Sequence, residues 1–548
     1  MMEEENDRLE AQRCKLTEAG LSECERRVEQ AIENNEAVQP PPEVIEQFLV
    51  SDLSGIHFVE LKSSSNFSVD DDANEHFPVN DIPVSTILAD GKTNFVALSA
   101  VLDTTDIPRR LRPLMRLYLS LLFESPINRE GVTIPYEDVV KQLQADTVAH
   151  DASFDNHFHR LLAVELMSSQ LKYKEAVCWL NDVLTNVQFE PSRIAVCANR
   201  IINSVTQLKQ SGYKLAILLL EELIFDSDVI HFSSTLLRQE KYLQNLLQIL
   251  EENPGKVLAD LVELQSLLSS PKSLIVHMLC NANELKSAYV EPWKLIADKL
   301  GAKDGVKENH RAPIYPGKEP LYLKPMDEGE KAYIMAVSAS ESAFLLQSAA
   351  CLRDWRNRDV PAVLMAVQYL CQTEGPLFRE VRGKGLAYGC DITVKIDYGT
   401  VELLLYRTAD PVSAYEVTRD VVSDVFGESG ELDPVEFEAA KRSLVFEIIE
   451  KAETVHSAAE EAFYNYFRGL PPDYTKTFVE RIWTVKMADL APAAKKYILP
   501  LFDHSLSKVA ITCHPSKLEK IVEGFNSMQR KFTVVSLDDK VLTDTPEE

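Results

Sequence analysis

Fifteen residues of this chain differ in kind from those around them. Between Gly375 and Gly389, four glycines are interspersed with Arg379, Arg382, Lys384 and Tyr388, in a protein whose formal charge is −28. An arginine offers a rigid planar fork of donors and a tyrosine a phenolic donor. Held together at a helix end, Arg382 and Tyr388 could polarise a carbonyl or stabilise an oxyanion. The order implied is a helix over 377–382, a glycine loop, and a strand that starts near Tyr388. A positively charged turn packed on an acidic neighbour accounts for the same residues without any chemistry.

Other chemistries leave weaker traces. His157 and His159 would project to one side of a strand with His150, Asp151 and Asp155 close in sequence, but zinc needs three or four convergent ligands and this spacing supplies two. They read as solvated or hydrogen-bonded loop histidines. His456 and Glu460 stand four apart and read as a helix-surface pair, and Cys513-His514 as the end of a buried strand. Neither H-E-x-x-H, nor its inverse H-x-x-E-H, nor G-x-S-x-G occurs, and Arg382-Gly-Lys-Gly385 is no Walker A loop.

Composition narrows the partners. The 57 Lys and Arg against 85 Asp and Glu argue against nucleic acid or an anionic membrane, because phosphate binding needs a basic face. The apolar run 215–220 ends at Glu221 and Glu222, far short of the roughly 20 residues a bilayer demands. Nine scattered cysteines without a C-x-x-C pair read as reduced thiols. The acidic N-terminus reads as neither a secretory signal nor a transit peptide. A cytoplasmic protein is the expectation, or a mitochondrial one if a targeting segment precedes this sequence.

The elements that must position these residues repeat with a period near 240. Tyr136 matches Phe378 and Asp182 matches Asp424, both at 242; Pro191 matches Pro434 at 243; Cys280 matches Cys513 at 233. Val140 and Asp146 fall where the second copy has Arg382 and Tyr388, so the fold does not require that pair. In the second copy Ile392, Val394 and Ile396 alternate before a turn at Tyr398-Gly399, then Val401–Tyr406 returns as a hairpin. Asp410-Pro411 and Asp433-Pro434 open helices, with Glu436 placed for a capping box. The fold expected is α+β: two similar domains, each a mostly antiparallel sheet backed by helices on one face, preceded by a helical hairpin linker. The boundaries are 1–50 for the acidic hairpin, broken near Gly20 and ended by Pro40–Pro42; 51–299 for the first domain, with a polar loop near Ser63–Glu75 before its first strand; 300–326 for a Pro/Gly-rich linker; 327–536 for the second domain; and 537–548 for an acidic tail.

The V-R-x-x-G-x-A-Y-G context of Arg382 and Tyr388 resembles the Arg/Tyr motif in the C-terminal half of the pitrilysin/insulinase-type zinc metallopeptidases, closest to the presequence-protease branch. The N-terminal hairpin followed by QPPPEVIEQFLVSDLSGI resembles the linker between the two halves of that branch. The resemblance spans essentially the whole chain and implies that the repeats are the third and fourth domains of an enzyme enclosing a peptide-sized chamber. It implies that Arg382 and Tyr388 hydrogen-bond the scissile carbonyl, with Arg379, Lys384, Gly385 and Gly389 of the same segment as substrate-binding residues. It further implies peptide substrates, zinc in the complete enzyme, and an N-terminal zinc-binding half as partner. This chain has no zinc motif and is expected to be inactive alone. An inactive scaffold or interaction subunit built on the same domains is the alternative.

Overall fold

In the computed structural model, which describes residues 2–37, 41, 43–44, 50–67, 78–227, 229–285, 290–300 and 323–544, the chain divides into two compact units, Met1–His57 and Phe58–Glu548. The first carries α1 (Met2–Ala37), whose Leu9, Leu16, Leu21, Val28 and Ile32 are all exposed. Its helical path breaks at Thr17 (φ 63°, ψ 168°) rather than at Gly20; a β-branched threonine is itself a poor helix former. Pro40 and Pro42 lie outside the described residues.

The second unit contains two six-stranded sheets. The first half of this unit supplies β1 (Lys62–Ser65), β2 (Thr86–Asp90), β3 (Phe95–Asp103), the small hairpin β4 (Ile127–Arg129) and β5 (Val132–Ile134), β6 (Ala149–Phe154), β7 (Leu161–Ser169) and β8 (Leu274–Cys280). The second half supplies β9 (Ala332–Ala336), β10 (Ala343–Ala350), β11 (Ala387–Lys395), β12 (Thr400–Thr408), β13 (Ser507–Cys513) and β14 (Thr533–Val535). The first sheet runs β1-β2-β8-β3-β7-β6 and the second, read from its far edge, β14-β9-β13-β10-β12-β11. Five strands correspond one to one. In each sheet the pair β2–β8 or β9–β13 is parallel and the other three junctions among these five are antiparallel. Only the sixth strand differs: β1 joins antiparallel and β14 parallel. Ser63–Ser65, expected in a loop, therefore pairs with β2; three serines at an edge carry no alternation to read.

The ladders turn this correspondence into a residue-by-residue register. Anchored on Cys280 and Cys513, the row Asp151, Glu165, Ser99, His277, Ile87 across the first sheet matches Asp391, Leu404, Leu346, Ala510, Tyr333 across the second. On that register Val148, not Asp146, stands where the second repeat has Tyr388. The offset drifts because the loops between strands differ in length.

Helices α2 (Pro191–Gln210), α3 (Gly212–Ile224), α4 (Pro411–Val425), α5 (Pro434–Glu450) and α6 (Val455–Phe467) complete the frame. Asp410 and Asp433 each accept two backbone N–H groups at the starts of α4 and α5, with proline next, which satisfies donors the helix itself leaves unpaired. Glu436, expected in a capping box, instead takes the Arg379 guanidinium at 2.6 Å, a charge-assisted bond stronger than one to a backbone N–H.

Helices were expected on one face of each sheet; both faces are covered, because the repeats exchange a helix. From the first repeat, α3 lies on the second sheet, burying Leu215, Leu219 and Leu223 with Met335, Leu346 and Ala510. From the second, α6 lies on the first sheet, burying Phe463 and Phe467 with Ile87, Val101 and Leu161. A Cβ on Gly212 would sit 2.8 Å from Ser340 Oγ and 3.0 Å from the Phe344 ring, and a Cβ on Gly91 only 2.7 Å from Val455 Cγ1. A glycine thus makes room at each crossing, on the helix in one and on the sheet in the other. Residues 301–322 of the expected linker lie outside the described residues. The expected acidic tail is packed through Asp544: Leu542 is 2% exposed and the Arg238 guanidinium donates to the carbonyls of Val541 and Asp544.

Candidate functional site

Arg382 and Tyr388 flank the point where the chain enters β11, an edge strand. Phe378–Arg382 forms a single π-helical turn, an element frequent at functional sites. It closes when Gly383 N donates to Phe378 O at 2.8 Å and Leu386 N to Val381 O at 2.9 Å. A Cβ on Gly383 would lie 2.5 Å from the Arg379 carbonyl oxygen, and Gly385 has φ +71°, so this return demands glycine at both places.

The partner strand is irregular at the same level. Ala387–Thr408 and Gly389–Tyr406 bracket Tyr388 opposite Arg407, and the β10–β12 ladder shifts register there. Arg407 carries the strain of this bulge with φ 52°. The equivalent β3–β7 ladder runs without a shift from Phe95–Ser169 to Asp103–Leu161. Bulges re-aim side chains beside functional sites.

The turn and strand bring the pair together. The Arg382 guanidinium carbon lies 4.7 Å from the Tyr388 ring centroid and 5.2 Å from that of Phe378. Both residues are exposed, Tyr388 by 60%, and among the described residues neither side chain makes a hydrogen bond or ion pair. Tyr406 lies 6.5 Å from Tyr388, and the Arg407 guanidinium carbon 5.3 Å from the Tyr406 ring. Burial pushes the Asp391 carboxyl up, and the Arg382 charge pulls it back.

The other basic residues of the segment are engaged. Arg379 binds Glu436 at 2.6 Å and the Glu374 carbonyl, and Lys384 pairs with Glu380 one turn back. A Cβ on Gly385 would meet open space, whereas one on Gly389 would come into ordinary contact with Tyr406 and Asp391. The basic turn on acidic neighbours thus describes Arg379 and Lys384, while Arg382 acts on Asp391 through its charge without an ion pair. Sequence reasoning missed Arg407, since a bulge leaves no mark on strand alternation.

The histidines are engaged elsewhere. His157 lies in the β6–β7 turn, with Nδ1 3.2 Å from Asp397 of the β11–β12 turn. Asp397 also accepts from Trp355 at 2.7 Å and from Arg468 at 2.8 and 3.0 Å. Burial opposes its charge, but the bonds from His157, Arg468 and Trp355 hold the carboxyl well below the usual carboxylate range. His159 stacks on Tyr398 at 4.3 Å, and burial pushes its imidazole down to about 3. Cys513 ends a buried strand, and His514 accepts from Ser516 N at 3.2 Å. Among the described residues no group of three or more His, Cys, Asp or Glu is placed to hold a metal ion, and no helix is long and apolar enough to cross a membrane.

Solved structures share this architecture. A peptidase M16 inactive domain from Pseudomonas fluorescens superposes with a TM-score of 0.58 at 15% identity, covering 83% of this chain and 98% of its own. A protease from Helicobacter pylori gives 0.58 at 12%, covering 83% and 100%. The periplasmic protease PqqL from Escherichia coli gives 0.58 at 14%, covering 88% of this chain and 52% of its own. The fold is that of the M16, pitrilysin-like peptidases. No family model matches the sequence. An uncharacterized protein from Caenorhabditis elegans is 30% identical over 530 residues, 95% of this chain and 52% of that protein. One from Schizosaccharomyces pombe is 24% identical over 97% and 53%. The chain spans about half the length of these curated relatives.

Proposed function

We propose that this chain is the C-terminal, substrate-binding half of a zinc-dependent metalloendopeptidase of the presequence-protease type, which degrades oligopeptides in an enclosed chamber. The observation that carries the reading is the convergence of Arg382 and Tyr388, exposed and unengaged, on an M16-like fold whose first repeat has no such pair. The described residues offer no ligand set that fits zinc, so the metal belongs to an N-terminal half, and this chain contributes positioning and charge stabilisation. Two donors fixed by a π turn and a bulged strand hold the scissile carbonyl and its developing oxyanion at no reorganisation cost. Gly385 leaves the backbone beside them open to a peptide, while Arg379 and Lys384 pin the turn and add positive charge. A cytoplasmic location is part of the reading.

The test is reconstitution. Mixed with a matching N-terminal half, the chain restores chelator-sensitive peptide hydrolysis, and Arg382→Ala lowers turnover by about 10²–10³ with an unchanged circular dichroism spectrum. Full turnover in Arg382→Ala overturns the roles. The second reading, a catalytically inactive scaffold, draws on the missing metal set and on likeness to a domain described as inactive. It predicts a stable complex with no hydrolysis and indifference to Tyr388→Phe.

A further inference from the structure

The two helix-on-sheet crossings are equivalent in backbone but not in chemistry. Under α3, the second sheet presents Leu404, Leu346, Ala510 and Tyr333, all in or against one apolar cluster. Under α6, the same register positions of the first sheet are Glu165, Ser99, His277 and Ile87. The helices differ in step: Tyr213 and Ile217 of α3 correspond, 243 residues on, to His456 and Glu460 of α6. The row under α3 is apolar, with Lys508 and Thr512 beside it donating to the Leu223 and Gly212 carbonyls, so the polar set under α6 is not a demand of the fold.

These polar groups surround an open cavity of about 160 Å³ between sheet and helix, many times what one water needs. Ser99 Oγ lies 3.3 Å from Glu165, and His456 Nε2 3.8 Å from Glu460. Asp151 and Asp155 add two more carboxylates to the lining, which contains neither lysine nor arginine. Glu165 is exposed on one side, and burial and then the Glu460 charge push its carboxyl up while Ser99 and His456 pull it back. His277 lines the same cavity, is 6% exposed, stacks on Phe463 at 4.7 Å, and its buried Nε2 has no hydrogen-bond partner. Burial keeps that ring neutral. Val101, Leu279 and Phe463 supply apolar wall. Among the described residues no three donors converge as a metal requires, whereas carboxylates beside an apolar wall suit an extended cation with an apolar stem and a charged head.

We propose that the cavity between α6 and the first sheet binds an aliphatic cation, an alkylammonium or alkylguanidinium, with its stem on Val101, Leu279 and Phe463 and its head shared by Glu165, Glu460 and His277. A lysine or arginine side chain of a peptide presents this group, and so does a free polyamine. The site needs neither zinc nor hydrolysis, and so stands apart from the reading of Arg382 and Tyr388.

The test is calorimetric titration of the full chain with three probes: a capped pentapeptide with lysine between alanines, the same peptide with norleucine, and 1,5-diaminopentane. The lysine peptide binds about tenfold tighter than the norleucine peptide, and the Glu165→Gln/Glu460→Gln pair erases that preference. His277→Phe, which keeps the ring stack, weakens the lysine peptide alone. Binding of diaminopentane with the same dependence on Glu165 and Glu460, and of neither peptide, supports the site and makes a free amine its ligand. Equal affinity for both peptides without diaminopentane binding, or a lysine preference that survives the double substitution, overturns the proposal.

Discussion

Under α3 the sheet row is sealed by leucines, an alanine and a tyrosine; under α6 the corresponding row is a glutamate, a serine and a histidine lining a cavity, and an isoleucine in the apolar contact beside it. The same chain path serves both. The helix exchange asks only that each sheet be covered, and Phe463 and Phe467 on Ile87 and Val101 do this at one end of α6. At the other end Val455 and Ala459 pack on Ala89 and Leu279, and the polar groups lie beside these contacts. Duplication gave this protein two copies of one joint, of which the sequence uses one as a joint and keeps the other partly hollow.

Moving the chemistry of one crossing into the other gives the largest effect. Leu346→Glu places a buried carboxylate under α3 and is expected to cost about 3–5 kcal/mol in urea unfolding, whereas Glu165→Leu, which puts an apolar side chain under α6, costs nothing and stabilises at neutral pH. The sign follows from the raised Glu165 carboxyl: the charged form is disfavoured in the fold, so the gain is full above the folded-state value and disappears as pH falls below the ordinary glutamate range near 4. Equal losses for the two substitutions would erase the distinction between the crossings.

Next is Asp397→Ala, which removes the two short bonds to the Arg468 guanidinium, 5% exposed, and leaves it the 3.5 Å pair with Glu461. Its expected cost is about 3 kcal/mol at pH 7. Because the folded-state value of Asp397 is depressed, the wild-type advantage is present above pH about 4 and shrinks as pH falls toward the folded-state value; a gap that widens in acid would contradict it. Smallest is Arg382→Ala, expected to change unfolding free energy by less than about 0.5 kcal/mol, since the side chain is exposed. A large loss there would make Arg382 a structural residue.

What the sequence carried locally, it carried well. The repeat, the hairpin 392–406, the Asp-Pro helix starts and the glycine return before Tyr388 each depend on residues close in the chain, and each is present. What it hid depends on register and on contacts hundreds of residues apart. Glu165, Ser99 and His277 share a row only because three strands pair, and His456 reaches that row only because α6 crosses to the other repeat. The i,i+4 spacing of His456 and Glu460 was visible, but not the cavity they face. Arg407 is silent in sequence because its conformation comes from a ladder mismatch. The serine-rich edge strand was missed for lack of any apolar signal.

The contact of the two hairpin turns has a last consequence. His157 and Asp397 stand three residues beyond the equivalent Phe154 and Val394, and they meet each other. Were two identical copies of either repeat to dock in this way, like would face like: imidazole on imidazole, or carboxylate on carboxylate with mutual repulsion. Each repeat is thus ill-matched to a copy of itself and suited to the other, so this contact favours the pairing of unlike repeats within one polypeptide.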